Sequence, residues 1–167
     1  MKTFYFALFL SILCYDFSCE DDFDSRIIDA PGTFIFGFGG GNCASDCATI
    51  FMVRDSVLFE YGPGLAPNLG PGANALAGWM VMDDQSRLTE VVALRDQAPD
   101  ELFRSDLGDF GCAGCVDDPF AQVGLFDESG FSYYSYINPD PSPGSGVADS
   151  VITYAIEVRE LVANLGN

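Results

Sequence analysis

The sequence predicts an α+β domain, a mainly antiparallel sheet of hairpins with a short middle helical region and a C-terminal amphipathic helix packed on it. Three observations predict it. Short β-branched and aromatic runs outnumber helical patterns, and they come in pairs around brief polar connections. Near the C-terminus the apolar residues switch to helical spacing. No internal repeat is evident, and 167 residues fit one domain once an N-terminal export segment is set aside.

The chain begins with Lys2 and a mostly apolar run over residues 3–13, which is the build of a signal peptide. A helix rising ~1.5 Å per residue needs about twenty such residues to cross a ~30 Å hydrocarbon layer, and Asp16 ends the run early. At its end Ser18 and Cys19 resemble a bacterial lipoprotein signal, with the Cys19 thiol as the place of diacylglycerol attachment. Asp16 stands where such a signal carries an aliphatic residue. Residues 1–19 are thus expected to be a signal peptide with a candidate lipobox, residues 20–32 an acidic tether opening Glu20-Asp21-Asp22-Phe23-Asp24, and residues 33–167 a single α+β domain. Acyl chains contribute ~0.8 kcal/mol per buried methylene, so a diacylated cysteine anchors without a membrane-spanning segment.

Within the domain, residues 33–38 (Thr-Phe-Ile-Phe-Gly-Phe) read as a strand breaking at Gly39-Gly40-Gly41. Residues 48–54 and 57–61 flank Asp55-Ser56, a hairpin connection. Residues 62–73 hold three prolines and four glycines and read as a long surface loop, followed by a strand over 78–82. From Ser86 the row Leu88, Val91, Val92 and Arg95 has helical spacing, and Pro99 begins a second short helix with Asp100 and Glu101 in its first turn. Residues 121–127 and 131–137 bracket Glu128-Ser129-Gly130 as a further hairpin, and 139–146 read as a polar loop. The terminal helix is marked by Val151, Ala155, Val158, Val162 and Leu165, widened by Tyr154 and Leu161, with Asp149 capping its start and Gly166 its end.

Composition excludes whole classes of function. Twenty-five acidic residues face seven basic ones, a formal charge of -18 that repels phosphate backbones and anionic headgroups, so no nucleic-acid partner is expected. A carboxylate-covered, lysine-poor surface also stays soluble in concentrated salt. With no histidine, Ser-His-Asp and Cys-His nucleophile pairs and HExxH zinc sites are impossible. Carboxylate-only acid/base chemistry survives, but it needs two acids in contrasting environments.

Gly37-Phe38-Gly39-Gly40-Gly41-Asn42 lacks the third glycine of a dinucleotide loop and the Lys-Ser/Thr of a phosphate loop. The chemistry lies in Cys43-Ala44-Ser45-Asp46-Cys47 and Cys112-Ala113-Gly114-Cys115. Their spacing fits structural disulfides, a four-thiolate zinc site, or a thiol-disulfide redox pair at Cys112 and Cys115. An oxidising exterior favours the disulfides among Cys43, Cys47, Cys112 and Cys115, and no metal or other cofactor is expected. Asp106, Asp109, Asp117 and Asp118 surround the second pair without the D-x-D-x-D-G order of a calcium loop, and read better as a solvated surface.

The glycine-rich strand with its C-x3-C, the Phe110-Gly111-Cys112 to Cys115 segment, the hairpin and the terminal helix occur in one order. In that order the chain resembles a group of uncharacterised Bacteroidota exported lipoproteins, a resemblance that implies no particular activity. The expected function is that of a lipid-anchored protein of the cell envelope, outer membrane or cell surface. It would be non-enzymatic, binding or supporting another envelope or surface component and touching the membrane through the lipid anchor only. The rival readings are the redox protein, the four-cysteine metal domain and a carboxylate-dependent hydrolase.

Overall fold

A run that is apolar on both faces belongs in the middle of a sheet, and Phe34-Ile35-Phe36 takes that place. The structure is a computed structural model and describes residues 31–40, 48–62, 78–104, 107–111, 118–126 and 132–166. Its strands are β1 (Phe34–Gly40), β2 (Ala48–Arg54), β3 (Val57–Tyr61), β4 (Trp79–Val81), β5 (Leu107–Phe110), β6 (Pro119–Phe126) and β7 (Ser132–Ile137). They form a seven-stranded sheet in the order β4-β3-β2-β1-β6-β7-β5. Every neighbouring pair is antiparallel except β5 and β7. With α1 (Leu88–Asp96), a 3-10 turn (Asp100–Phe103) and α2 (Asp149–Leu165), the architecture is the expected α+β.

Alternation along β1 assigns the faces. Phe34 and Phe36 point towards the helices, stacked at 5.1 Å, and Phe36 stacks in turn on Phe51 of β2 at 5.5 Å. Against them lie Val91 and Leu94 of α1 and the buried stripe Val151, Tyr154, Ala155, Val158, Leu161 and Val162 of α2. The terminal helix therefore packs on the sheet, and each fully buried large apolar side chain contributes ~1.5–3 kcal/mol. On the opposite face Ile35, Ile50, Met52, Phe126 and Tyr134 form a second buried cluster, edged by Phe59, Tyr61 and Trp79. Glycine makes the close packing there possible: a Cβ on Gly37 would stand 2.8 Å from the Ile50 side chain.

Several elements differ from the sequence reading. β1 runs through Gly39 and Gly40 instead of breaking there, because Gly39 pairs with Phe120 and Gly40 with Pro119. At Gly40, φ is +106° and a Cβ would stand 2.6 Å from the Asp118 carbonyl oxygen, so the approach to β6 needs a residue without a side chain. β5 was not expected; Leu107-Gly108-Asp109-Phe110 is a strand because β7 pairs with it. Pro99 precedes the 3-10 turn in extended conformation rather than opening an α-helix. Asp149 is not the cap of α2 but its first residue, where a carboxylate favours the positive end of the helix dipole; Ala148 holds the cap position. Gly166 closes the helix with its N–H on the Val162 carbonyl (3.1 Å) but at φ -83°, outside the left-handed region.

The Asp55-Ser56 hairpin is as expected, with both residues at positive φ (49° and 61°), the twist that suits a two-residue connection. The long loop's middle lies outside the described residues, while its two ends meet through the Gly62 N–H and the Gly78 carbonyl at 2.7 Å. The turn 128–130 also lies outside them, and the strands it joins, β6 and β7, pair antiparallel.

Candidate functional site

Between the end of α1 and the end of the sheet lies a cleft of about 560 Å³, within the ~300–1,000 Å³ usual for ligand sites. One wall begins where α1 stops. Gln97 closes the helix with its N–H on the carbonyls of Ala93 and Leu94, and Ala98 donates to the Arg95 carbonyl. Pro99 cannot continue the helix, so the chain turns into the 3-10 segment, whose Leu102 is buried in the core and whose Phe103 is left 38% exposed. The Phe103 ring meets the edge of Tyr133 of β7 at 5.5 Å.

The facing wall is Leu125 and Phe126 at the end of β6, with Pro31, Gly32 and Thr33 leading into β1. The ladder continues there past the strand, since Gly32 N–H donates to the Phe126 carbonyl (3.0 Å) and Phe126 N–H to the Thr33 carbonyl (3.3 Å). Gly32 has φ +81°, the conformation that the second central position of a Pro-Gly turn demands. Thr33 is buried, and its hydroxyl has no hydrogen-bond partner among the described residues.

Charge sits on the helical wall. The Arg95 guanidinium binds the Asp96 carboxylate from both Nε (2.9 Å) and Nη2 (2.8 Å), so that pair is committed to itself and Asp100 is the remaining carboxylate of the lining. Leu125 and Phe126 are buried in clusters on opposite faces of the sheet, so the described lining offers the Phe103 ring, an ion pair closed on itself and one acid. Among the described residues its lining holds no thiol and no second uncommitted acid, so the two-carboxylate reading finds no pair there.

Cys19, Cys43, Cys47, Cys112 and Cys115 are outside the described residues, as are Asp106 and Asp117. What is described is the set of positions from which the cysteine-bearing connections leave the sheet. Gly40 and Ala48 bound the first, and Ala48 pairs with Gly39, which pairs on its other side with Phe120. Gly111 and Asp118 bound the second, and both are held by the buried Asn138, whose amide donates to the Gly111 carbonyl (3.3 Å) and the Asp118 carboxylate (3.4 Å). Gly40 and Asp118 are in backbone contact. Both connections therefore leave from one end of the sheet, opposite to the cleft.

Sequence reasoning missed the cleft and Asn138. Pro31-Gly32, assigned to the tether, was the available signal for a turn at the sheet's edge, and Asn138-Pro139 was one for a side-chain-capped turn. Among the described residues no group of three or more metal-ligating side chains occurs, and no helix is long and apolar enough to cross a membrane. Compared with known proteins, the chain matches no family model, no curated protein and no solved structure.

Proposed function

We propose that the chain is an exported, lipid-anchored envelope protein acting as a non-enzymatic binding or structural module. The observation that carries the module reading is the cleft: among the described residues it is a recess whose ion pair is internal, which suits a bound segment better than a reaction. The anchor rests on Lys2, the short apolar run and Ser18-Cys19, as in the Bacteroidota-type lipoproteins that the chain resembles. Cys43, Cys47, Cys112 and Cys115 serve in this reading as disulfides. Support comes from the described ends of their connections, because adjacent strands stand ~4.8 Å apart and Ala48 and Phe120 are only two strands from each other.

Intact mass of membrane-extracted protein tests the anchor: acyl addition to a chain beginning at Cys19 is expected, and a soluble product cut elsewhere removes it. A photo-crosslinking side chain at position 103 in intact cells tests the cleft. An adduct beyond the ring's own neighbour Tyr133 supports a segment bound there, and adducts to β7 alone, or none, overturn it. Turnover of a dithiol substrate that is lost in Cys112→Ser would replace the disulfide reading with the redox one.

A further inference from the structure

β4 ends the sheet, and among the described residues nothing pairs with its outer edge. The ladder to β3 decides which backbone groups face outward. Gly62 N–H donates to the Gly78 carbonyl (2.7 Å) and Met82 N–H to the Leu58 carbonyl (3.0 Å), so 62/78, 60/80 and 58/82 are the hydrogen-bonded pairs of this antiparallel ladder. Trp79 and Val81 stand between them, and their N–H and C=O groups point away from β3. The same edge is apolar and open: Met80 is 52% and Val81 61% exposed, the most exposed large hydrophobic side chains among the described residues. Edge strands are commonly blunted by a lysine, a proline or a bulge, and Trp79-Met80-Val81 carries none of these; its shortness limits an added strand to a few residues.

Carboxylates flank this edge. Glu60 stands opposite Met80 on β3, and Asp83 and Asp84 follow the strand. The arginines nearest to them in sequence are engaged with neighbouring acids, Arg54 with Asp55 and Arg87 with Glu90. A second copy would bring the same acids and another formal charge of -18, whereas a cationic strand would neutralise them.

We propose that the outer edge of β4 takes up an extended segment of a partner protein, apolar where it meets Met80 and Val81 and carrying Lys or Arg beside Glu60 and Asp83. The backbone groups of Trp79 and Val81 supply the ladder, and the carboxylates select the partner's charge. This surface is separate from the cleft, whose described lining includes no residue of β4, and it stands whether or not the cleft binds anything.

Trp79 is the chain's sole tryptophan, so its fluorescence reports on this edge. The probe is the end-blocked peptide Lys-Val-Thr-Val-Thr-Lys, titrated to about 1 mM into the full chain. It should shift the Trp79 emission and slow hydrogen exchange at the Trp79 and Val81 amides, and a version with Glu in place of Lys should bind about tenfold more weakly. Val81→Pro removes an outward N–H and no bond to β3, so it should lose the peptide while the amides of α2 keep their exchange rates and report an intact core. No response to the Lys peptide overturns the inference. So does equal binding of the Glu version, or of a Lys peptide N-methylated at its central residues, which would be attraction without a ladder. Protection of the two amides that needs no peptide and weakens on dilution assigns the edge to a second copy and overturns the choice of partner.

Discussion

Gln85 pairs with the backbone of Leu58 at both ends of its side-chain amide. The Leu58 N–H donates to Oε1 at 2.8 Å, and Nε2 donates to the Leu58 carbonyl at 3.0 Å and to the Met82 carbonyl at 2.6 Å. A side chain thereby continues the ladder of β3 beyond the last residue of β4. Gln85→Leu should cost ~1–3 kcal/mol, the desolvation of backbone groups left without a partner. Gln85→Glu should cost more at neutral pH, because a carboxylate would face two carbonyls. That facing raises the carboxyl's pKa in the folded state, so the penalty is full above the folded pKa and is relieved as pH falls through it. Urea denaturation between acid and neutral pH checks both, and a Glu variant no worse than Leu would refute the donor role of Nε2.

The terminal helix supplies a second prediction. Val158 is fully buried between α2 and the sheet, and Val158→Asp places an uncompensated charge there. A loss of at least ~3 kcal/mol, or roughly 6–12 °C in Tm for a domain of this size, is expected by calorimetry.

Tyr154 behaves oppositely to what its burial implies. Its ring is core, but its hydroxyl has no hydrogen-bond partner among the described residues, and burial, with Glu157 adding to it, pushes the phenol far above its ordinary pKa. Tyr154→Phe should therefore leave stability unchanged or raise it by up to ~1 kcal/mol, since an unsatisfied polar atom is removed and the packing is kept. A clear loss in Tm would reveal a partner for the hydroxyl.

Asp84 gives the pH dependence of the approach to α1. The Ser86 hydroxyl and N–H (2.8 Å) hold its carboxyl below the usual carboxylate range, with Arg87 acting in the same direction. A carboxyl whose pKa is lowered on folding contributes above its unfolded pKa, and the contribution is lost as pH falls through the folded value. The stability difference between the native chain and Asp84→Asn should accordingly be present at neutral pH and vanish in acid. A difference that persists in strong acid would assign it to shape rather than charge.

For the cysteines, non-reducing peptide mapping should find a peptide with Cys43 or Cys47 joined to one with Cys112 or Cys115. A bridge across about 65 residues removes ~4 kcal/mol of unfolded-state freedom, against ~2 for one closing C-x2-C. Two local bridges would remove the cross-link, and bound zinc with four free thiols would put a metal site in its place.

What was legible in the sequence was whatever was local. The β-branched and aromatic run around Phe34 and Phe36 and the α2 stripe from Val151 to Leu165 are such patterns, and both pack in the core. β5 was not legible, because Gly108 and Asp109 disfavour strands and only pairing with β7, some twenty-seven positions along, makes one. The cleft has no signature at all: its walls come from residues 31–33, 95–103 and 125–126, which nothing but tertiary folding brings together. Gln85 and Asn138 escaped for a similar reason, as single amides in connections whose role depends on a backbone twenty-seven residues away.

The position of β1 at the centre of the sheet also sets a timetable. Its partner on one side, β2, follows almost at once, but its partner on the other, β6, lies about eighty residues downstream. Wherever the chain is delivered from its N-terminus, a phenylalanine-rich strand waits with one edge bare until those residues have followed. Unpaired apolar edges template association between chains, so the danger to this protein is concentrated in that interval. Delivering β6 sooner, by shortening the connections between β3 and β6, would raise the yield of soluble chain even where it left the folded state no more stable.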